Sequence, residues 1–484
     1  MSSVIEQLEP TIVFTHFAEL LRRPRGSGNE AAAREYVLEF ARNHDFDARV
    51  DGVGNVIVSV PASPGLEAAP TVILQGHLDM VCEKNASTVM DFEKDPIPAY
   101  VDGDLIRARG TTLGADNGIG VAAAMAAAHD PDGRHGPLEL LFTVDEETGL
   151  TGANNLEADR LKGRILLNLD SEDEGVLFVG CAGGANTELM VPVTRAAMPA
   201  GYRGVRVSVS GLKGGHSGLD IVRNRGNAAR VLVRALDESA IADLLLVEIQ
   251  SGNKHNAIPR EAVAVVAVAA NRYDELVCRI EGFDSLIKQE LAGVDDGVVV
   301  AVESAEPTRL PMTREDTVRV LDLLLALPHG PIGMSQDIAG LVETSTNLAV
   351  IGTRDEGVDI LCNSRSSIAS CIGSVRQTIG AAGRLAGARV TFSGQYPGWR
   401  PNMSSRVLAV ARKVWMDLYG KDPEVTAIHA GLECGVIGEK APGMDMVSFG
   451  PTMRGVHSPD EQLSASSTAR FYAFLKSLLA ELAE

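Results

Sequence analysis

Three runs, "TVILQG" (71–76), "PLELLFTV" (137–144) and "RILLNLD" (164–170), restrict the fold of this chain more than any other feature. Each is almost continuously apolar and leaves no polar face for water. Strands of that kind must be covered on both sides, which points to an α/β layer fold rather than a one-sided antiparallel sheet. Helical patterns surround them. The first 45 residues read as two helices, and "SGNEAAAREYVLEFARNH" opens on Ser27 with Glu30 three positions on, a capping-box pattern. "DNGIGVAAAMAAAHD" (116–130) is Ala-rich and helical, and "ARVDGVGNVIVSV" carries short strands.

The pattern changes from about 188 to 395. "RGVRVSVSG" and "LLLVEIQSG" alternate in part with period two, "AVAVVAVAA" and "VVVAVES" add β signal, and "CRIEGFDSLIKQELAG" and "TVRVLDLLLALP" are helical. This reads as a separate α+β unit with one sheet face exposed. After about 396 the α/β pattern of the first part returns, and the tail "RFYAFLKSLLAEL" has a helical apolar stripe at 471, 474, 475, 478, 479 and 482. A chain of 484 residues exceeds one ordinary core, and roughly two to four domains are expected. The expected division is 1–187, 188–395 and 396–484, the first and last forming one domain.

Composition removes several function classes. A net charge of −20 would repel a phosphate backbone, and 4% aromatics leave few platforms for stacking bases, so no nucleic-acid partner is expected. The six cysteines, Cys82, Cys181, Cys278, Cys362, Cys371 and Cys434, include no C-x-x-C pair, which argues against both a disulfide framework and a thiolate zinc site. The N-terminus lacks a basic region and a small-residue cleavage site, and no apolar run approaches the roughly 18 residues of a membrane span. The expectation is a cytoplasmic protein without membrane contact.

The covered strands end in chemistry. "VILQGHLD" closes on His77 and Asp79, "LLFTVDEETG" on Asp145, Glu146 and Glu147, and "ILLNLDSEDEG" on Asp170, while Asp116 opens the Ala-rich helix. Taken singly, each has an ordinary explanation: Asp116 a helix N-cap, Glu146–Glu147 a solvated turn, Asp170 an acidic loop, His77 a satisfied buried imidazole. Together they sit where open α/β sheets bind ligands, outside the carboxyl ends of strands. Crowded carboxylates repel, and cations remove that cost. Imidazole with carboxylate and no thiolate suits Zn²⁺, Mn²⁺ or Co²⁺. The adjacent Glu146 and Glu147, in an extended turn, would point different ways, one toward a cation and the other toward a water.

The motifs "GHLDMV", "GTTLGADNGIG", "DEETG", "NLDSEDEG", "GLKGGHSG", "HNAIPREA", "HAGLECG" and "GPTMRGVHSPDE" run in order over nearly the whole chain. They resemble the M20 family of di-metal peptidases, and within it the bacterial aminoacyl-histidine dipeptidases, whose activity includes carnosine-like Xaa-His dipeptides. The resemblance implies a catalytic domain with a central mixed sheet covered by helices and an inserted α+β lid, which often mediates dimerisation. It implies that His77 and Asp170 hold one metal, Glu147 and His457 the other, and that Asp116 bridges them, followed by an Asp116–Asn117 peptide that is typically cis. Asp79 would orient the His77 imidazole, and Glu146 would be the general base for a hydroxide shared by cations roughly 3.5–4 Å apart. In the lid, His216 would stabilise the oxyanion, and Asn256 and Arg365 would contact the substrate, Arg365 through a terminal carboxylate. His429 and Glu433 belong to "HAGLECG", and Glu433 would meet a substrate amine. Asp145 stands as a sequence neighbour of the acidic pair.

The implied function is hydrolysis of dipeptides with free termini by a cytosolic homodimer holding two divalent ions, zinc first. A tripeptidase, a broader aminopeptidase or an amide deacylase is the alternative. Asp rather than Glu at 170 resembles the aminopeptidases and dipeptidases of the family. A metal-loaded binding protein without catalysis would be expected to lack Glu146, and a purely structural protein leaves the ligand set unexplained.

Overall fold

A computed structural model provides the structure, describing residues 2–484, with side chains from 4 onward. The chain forms two compact units: residues 1–180, 401–427 and 432–484 in the first, and 181–400 with 428–431 in the second.

The first unit is built on an eight-stranded mixed sheet. Its strands are β1 (Asp47–Val50), β2 (Val56–Val60), β3 (Val72–His77), β4 (Leu138–Thr143), β5 (Ile165–Asn168), β6 (Val176–Cys181), β7 (Glu424–Ile428) and β8 (Asp445–Ser448), in the spatial order β1-β2-β4-β3-β5-β8-β6-β7. β3 runs parallel to β4 and to β5, and β5 runs parallel to β8. Every residue of β3 and β4 is buried, as their continuous apolar runs require. Because β3, β4 and β5 are parallel, the residues that follow them gather at one end of the sheet.

Helices cover it: α1 (Thr11–Leu21), α2 (Ala31–Asn43), α3 (Ala115–His129), α4 (Arg406–Tyr419), α5 (Glu433–Lys440) and α6 (Ala465–Leu482). The expected stripe of the tail is the buried face of α6: Phe471, Phe474, Leu475, Leu478, Leu479 and Leu482. α3 is buried from Asn117 through Ala128, and its alanines allow that close approach. Its start is irregular. Asp116 and Asn117 are non-helical and the peptide bond between them is cis. Asn117 ties this start to two strand ends, accepting from His77 N at 3.3 Å and donating to Leu169 O at 2.7 Å.

Gly76 makes room for that amide: a Cβ built there would lie 2.2 Å from Asn117 Oδ1. Gly76→Ala is therefore expected to push Asn117 away from both strand ends and to cost about 1–3 kcal/mol, the usual range for overpacking a filled site. A urea unfolding midpoint equal to that of the parent would contradict this tight fit.

One local expectation is corrected. α2 begins at Ala31 without any side-chain cap bond. Ser27 Oγ instead donates to Asp79 Oδ2 at 2.8 Å, and Glu30 Oε1 accepts from Gly28 N at 2.8 Å and Asp145 N at 3.1 Å. Polar groups buried at the strand ends need partners more than a solvated helix end does.

A small four-stranded sheet, not apparent in the sequence, joins Ala99–Asp102, Leu105–Ala108, Met453–Arg454 and Gln462–Ser464. The last two pair antiparallel and carry the turn that contains His457.

The second unit is a nine-stranded sheet whose registered neighbours are all antiparallel. Its long strands include Gly183–Pro192, Tyr202–Ser210, Ala262–Ala269, Val342–Thr353 and Gly357–Ser366. Helices Ala228–Glu238, Tyr273–Glu290, Arg314–Ala326 and Ala369–Leu385 share one apolar core with it.

Candidate metal centre

His77 ends β3 and is 1% exposed. Its Nε2 lies 3.0 Å from Asp116 Oδ1 and 3.4 Å from Asp170 Oδ1. Its Nδ1 lies 3.3 Å from Asp79 Oδ1. Asp116 presents its other oxygen, Oδ2, to His457 Nε2 at 3.1 Å, and Glu147 Oε2 lies 3.0 Å from the same nitrogen. Two donor sets therefore share one carboxylate: His77, Asp116 and Asp170 on one side, and Asp116, Glu147 and His457 on the other, with the atoms of each set within 4.8 Å of one another. A third grouping of His77, Glu146 and Glu147 meets the same limit.

Glu146 and Glu147 do not lie in an extended turn, as their sequence suggests. They open a single helical turn, Glu146–Gly149, between Asp145 and Leu150, both with positive φ. Successive side chains on such a turn still diverge, by about 100°. Several buried groups hold the turn. Asp79 Oδ1 accepts from Glu146 N at 3.0 Å and Oδ2 from Glu147 N at 3.2 Å. Asn55 accepts from Val144 N at 3.1 Å and donates to Gly152 O at 2.9 Å. Asp145 belongs to neither of the two sets that share Asp116; it lies with Glu30 and Asp79, and its carboxylate accepts from the hydroxyls of Thr148 and Thr151.

The electrostatics are those of an overfilled acidic pocket. Burial opposes charge on His77, yet Asp170, Asp116 and Asp79 hold its pKa well above the usual imidazole value. Hydrogen bonds to Asp116 and Glu147 raise His457 to about 11. Asp116 is buried but has an imidazole on each oxygen, and its pKa lies well below the carboxylate range. Burial pushes Asp170 up to about 7, against the pull of His77. Burial, with Asp170, Glu433 and Glu147 nearby, also raises Glu146 well above its ordinary value. Glu172, which nothing in the sequence pattern singles out, is raised to about 7 by burial beside Asp116.

The donor set fits divalent cations. Glu147 Oε1 and Asp170 Oδ1 are buried with no hydrogen-bond partner, and carboxylate oxygens that can only accept are suited to a cation. The mixture of imidazole and carboxylate matches zinc, manganese or cobalt.

Glu433, the first residue of α5, is fully buried beneath the strand ends. Its Oε2 accepts from Gln75 Nε2 at 2.5 Å and Thr143 Oγ1 at 2.7 Å, while Oε1 is buried without a partner. Burial raises its pKa to about 7.

The second unit gathers its own predicted residues. His216 lies on the two-residue strand Gly215–His216. Its Nδ1 accepts from Gly218 N at 3.3 Å and Leu219 N at 3.1 Å, which leaves the ring proton on Nε2. Burial, then the Arg365 charge, lowers its pKa to about 4, so the ring is a neutral donor near pH 7. Arg365 is 5% exposed and donates to Tyr396 Oη at 3.0 Å. His429 Nε2 lies 2.7 Å from Ser345 Oγ, and burial, Arg365 and His216 lower its pKa to about 3. Asn256 is half-buried, and its carbonyl accepts from Ser217 N at 2.9 Å.

Sequence reasoning missed Arg25, Asn55 and Glu461, each of which bonds the backbone of the site. Glu461 closes the motif "HSPDE", four residues after His457, and that spacing was the available signal.

Residues 73–481 match the sequence model of Peptidase family M20/M25/M40. Over 481 residues, 99% of each chain, the protein is 42% identical to the cytosol non-specific dipeptidase of Escherichia coli (strain K12). It superposes with a TM-score of 0.92 on the crystal structure of aminoacylhistidine dipeptidase from Vibrio alginolyticus, which is 42% identical, with 99% of each chain covered. Aminopeptidase PepT from Bacillus cereus ATCC 10987 gives a TM-score of 0.58 at 16% identity over 99% of this chain and 100% of that one, a likeness of fold.

Proposed function

The chain belongs to peptidase family M20/M25/M40, and from that premise we propose that it is a metallodipeptidase hydrolysing dipeptides with free termini, Xaa-His among them. The observation that carries this reading is Asp116, which offers one oxygen to each of two donor sets. In this proposal His77 and Asp170 hold one divalent ion, Glu147 and His457 the other, and Asp116 serves both, with zinc the first candidate. When bound, such ions polarise a scissile carbonyl and make water acidic enough to attack near neutral pH.

The protein's own groups do the rest. A carboxylate oxygen of Glu146 takes the proton of the attacking water and returns it to the leaving amine. A carboxylate that accepts a proton and then returns it serves first as general base and then as general acid. Asp79 fixes that base by accepting from its main-chain N–H, and in the same place it faces the His77 ring. The second unit's groups suit the substrate rather than the cations. His216 offers an Nε2–H of the kind a developing oxyanion needs. Arg365 suits a terminal carboxylate and Asn256 the peptide's polar groups. Glu433, expected from the sequence to meet a substrate amine, is instead fully buried and held by Gln75 and Thr143, which suits a support for the strand ends rather than a substrate contact.

The proposal includes a cytoplasmic homodimer assembled through the second unit. What supports the cytoplasmic part is the relative named for the cytosol, 42% identical over 99% of this chain. Light scattering after size-exclusion chromatography tests the dimer.

The substrate reading is tested with Ala-His, its C-terminal amide and Ala-Ala-His on metal-reconstituted protein. Ala-His is expected to have the highest kcat/KM. The amide, leaving a buried guanidinium poorly paired, should lose about 2–5 kcal/mol of transition-state binding. Equal values for all three would point to a broader peptidase.

A further inference from the structure

We propose that Arg25 and Glu461 are positioning residues of the metal centre. They clamp the backbone that bears Asp79 and Asp116 and so fix where the two donor sets stand. The inference rests on the metal reading above, and neither residue is a proposed ligand.

Arg25 is 1% exposed, rare for a guanidinium. Its Nη1 donates to Leu78 O at 3.1 Å and Asp79 O at 2.8 Å, and its Nη2 donates to Gly114 O. Those three bonds all go to main-chain carbonyls, its Nε has no hydrogen-bond partner, and the acidic groups that offset the burial of its charge are Glu461, Asp79 and Asp116. A buried cation is costly to maintain. This one lays a planar fork across two segments, the end of β3 and the approach to α3.

Glu461 is 2% exposed and closes the same segment from the opposite polarity. Its Oε2 accepts from Leu113 N at 2.7 Å and Gly114 N at 2.9 Å, and its Oε1 from Ala115 N at 2.8 Å and Asp116 N at 3.3 Å. Four consecutive main-chain amides thus converge on one carboxylate. The carbonyl of Gly114 goes to Arg25, and Gly114 takes a φ of 72°, which suits glycine. Glu461 also ends the turn that carries His457. Its N donates to Ser458 O at 3.1 Å, and Ser458 Oγ donates to Gly455 O at 2.6 Å. One side chain therefore locks a segment from the first quarter of the chain, bearing Asp116, to one near its end, bearing His457. The Asp116–His457 contact of 3.1 Å depends on that lock.

The test is Co²⁺ titration of the metal-free protein, followed by visible absorption of the bound ion, which reports ligand geometry independently of turnover. Glu461→Gln removes acceptor capacity and points an amide N–H₂ at main-chain N–H groups. Arg25→Lys keeps the charge and loses the fork. Both are expected to bind Co²⁺ about tenfold more weakly or worse, the range seen when groups that orient metal ligands are lost. Both should shift the visible bands. Glu461→Asp, which keeps two acceptor oxygens, should recover part of the loss. Asp295→Asn is the matched control: Asp295 is a buried carboxylate of the second unit that accepts from Lys213 N and Gly226 N, both at 2.7 Å. It should lower the melting temperature without altering Co²⁺ affinity or spectrum. Arg25→Lys and Glu461→Gln behaving like that control would overturn the proposal, and if Glu461→Gln does not fold, Arg25→Lys decides. A folded parent that takes up no Co²⁺ would remove the metal reading itself, and this proposal with it.

Discussion

Glu146→Gln is expected to lower kcat by about 10²–10⁴-fold, the range for removing a positioned proton acceptor, while metal content stays at the parent level. Gln has nearly the shape of Glu, so the helical turn 146–149 and the main-chain bond to Asp79 should persist. What is lost is an oxygen that can take a proton. Activity in the parent should rise with pH as the Glu146 carboxyl ionises, since the base works deprotonated. That limb should vanish in the variant. The measurement also separates two uses of the same residue. Glu146 lies within metal-binding reach of His77 and Glu147, so it could itself be a ligand. Loss of one metal equivalent from Glu146→Gln would place it in the ligand set and remove it as the base.

Asp116→Ala is expected to reduce activity to background and to empty both cation positions, whereas His457→Ala should weaken mainly one. The difference follows from geometry. Asp116 faces an imidazole with each oxygen, and His457 faces only the side shared by Asp116 and Glu147. Without Asp116, the two imidazoles lose the carboxylate they share, and the remaining donors no longer form two complete sets. Elemental analysis after gel filtration reads this directly. One retained equivalent in Asp116→Ala would mean that the carboxylate serves a single cation.

Much of this site was legible because strand chemistry is loud. Runs as apolar as β3, β4 and β5 have one stable environment, so the polar residues that end them stand out. The positioning groups were quiet for the opposite reason. Arg25 sits in "LLRRPRGSGNE", where its neighbours look like an exposed basic turn, and nothing local marks it out from Arg22 and Arg23 as the buried one. Ser27 and Glu30 suit either a capping box or a network of buried acceptors, and only tertiary contacts choose between them. The hairpin that carries His457 uses strands of two and three residues, too short for any alternation to show.

The place of β8 in the sheet has a consequence for how the protein is made. β8 pairs with β5 along Ile165–Asn168 and contacts β6 at Phe178, yet it comes from residues 445–448. A ribosome adding ~5–20 residues per second needs on the order of half a minute to travel from one partner to the other. Through most of that interval the nascent sheet stops at β5, whose outer edge is unpaired, and β6 lacks both of its neighbours, since β7 and β8 come only from residues 424–428 and 445–448; open edges of that kind invite aggregation. The second unit, residues 181–400 with 428–431, is encoded wholly inside the gap and can fold during the wait. Closure of the first unit's sheet then waits until residues 445–448 have been made, and chaperone demand should concentrate in that interval.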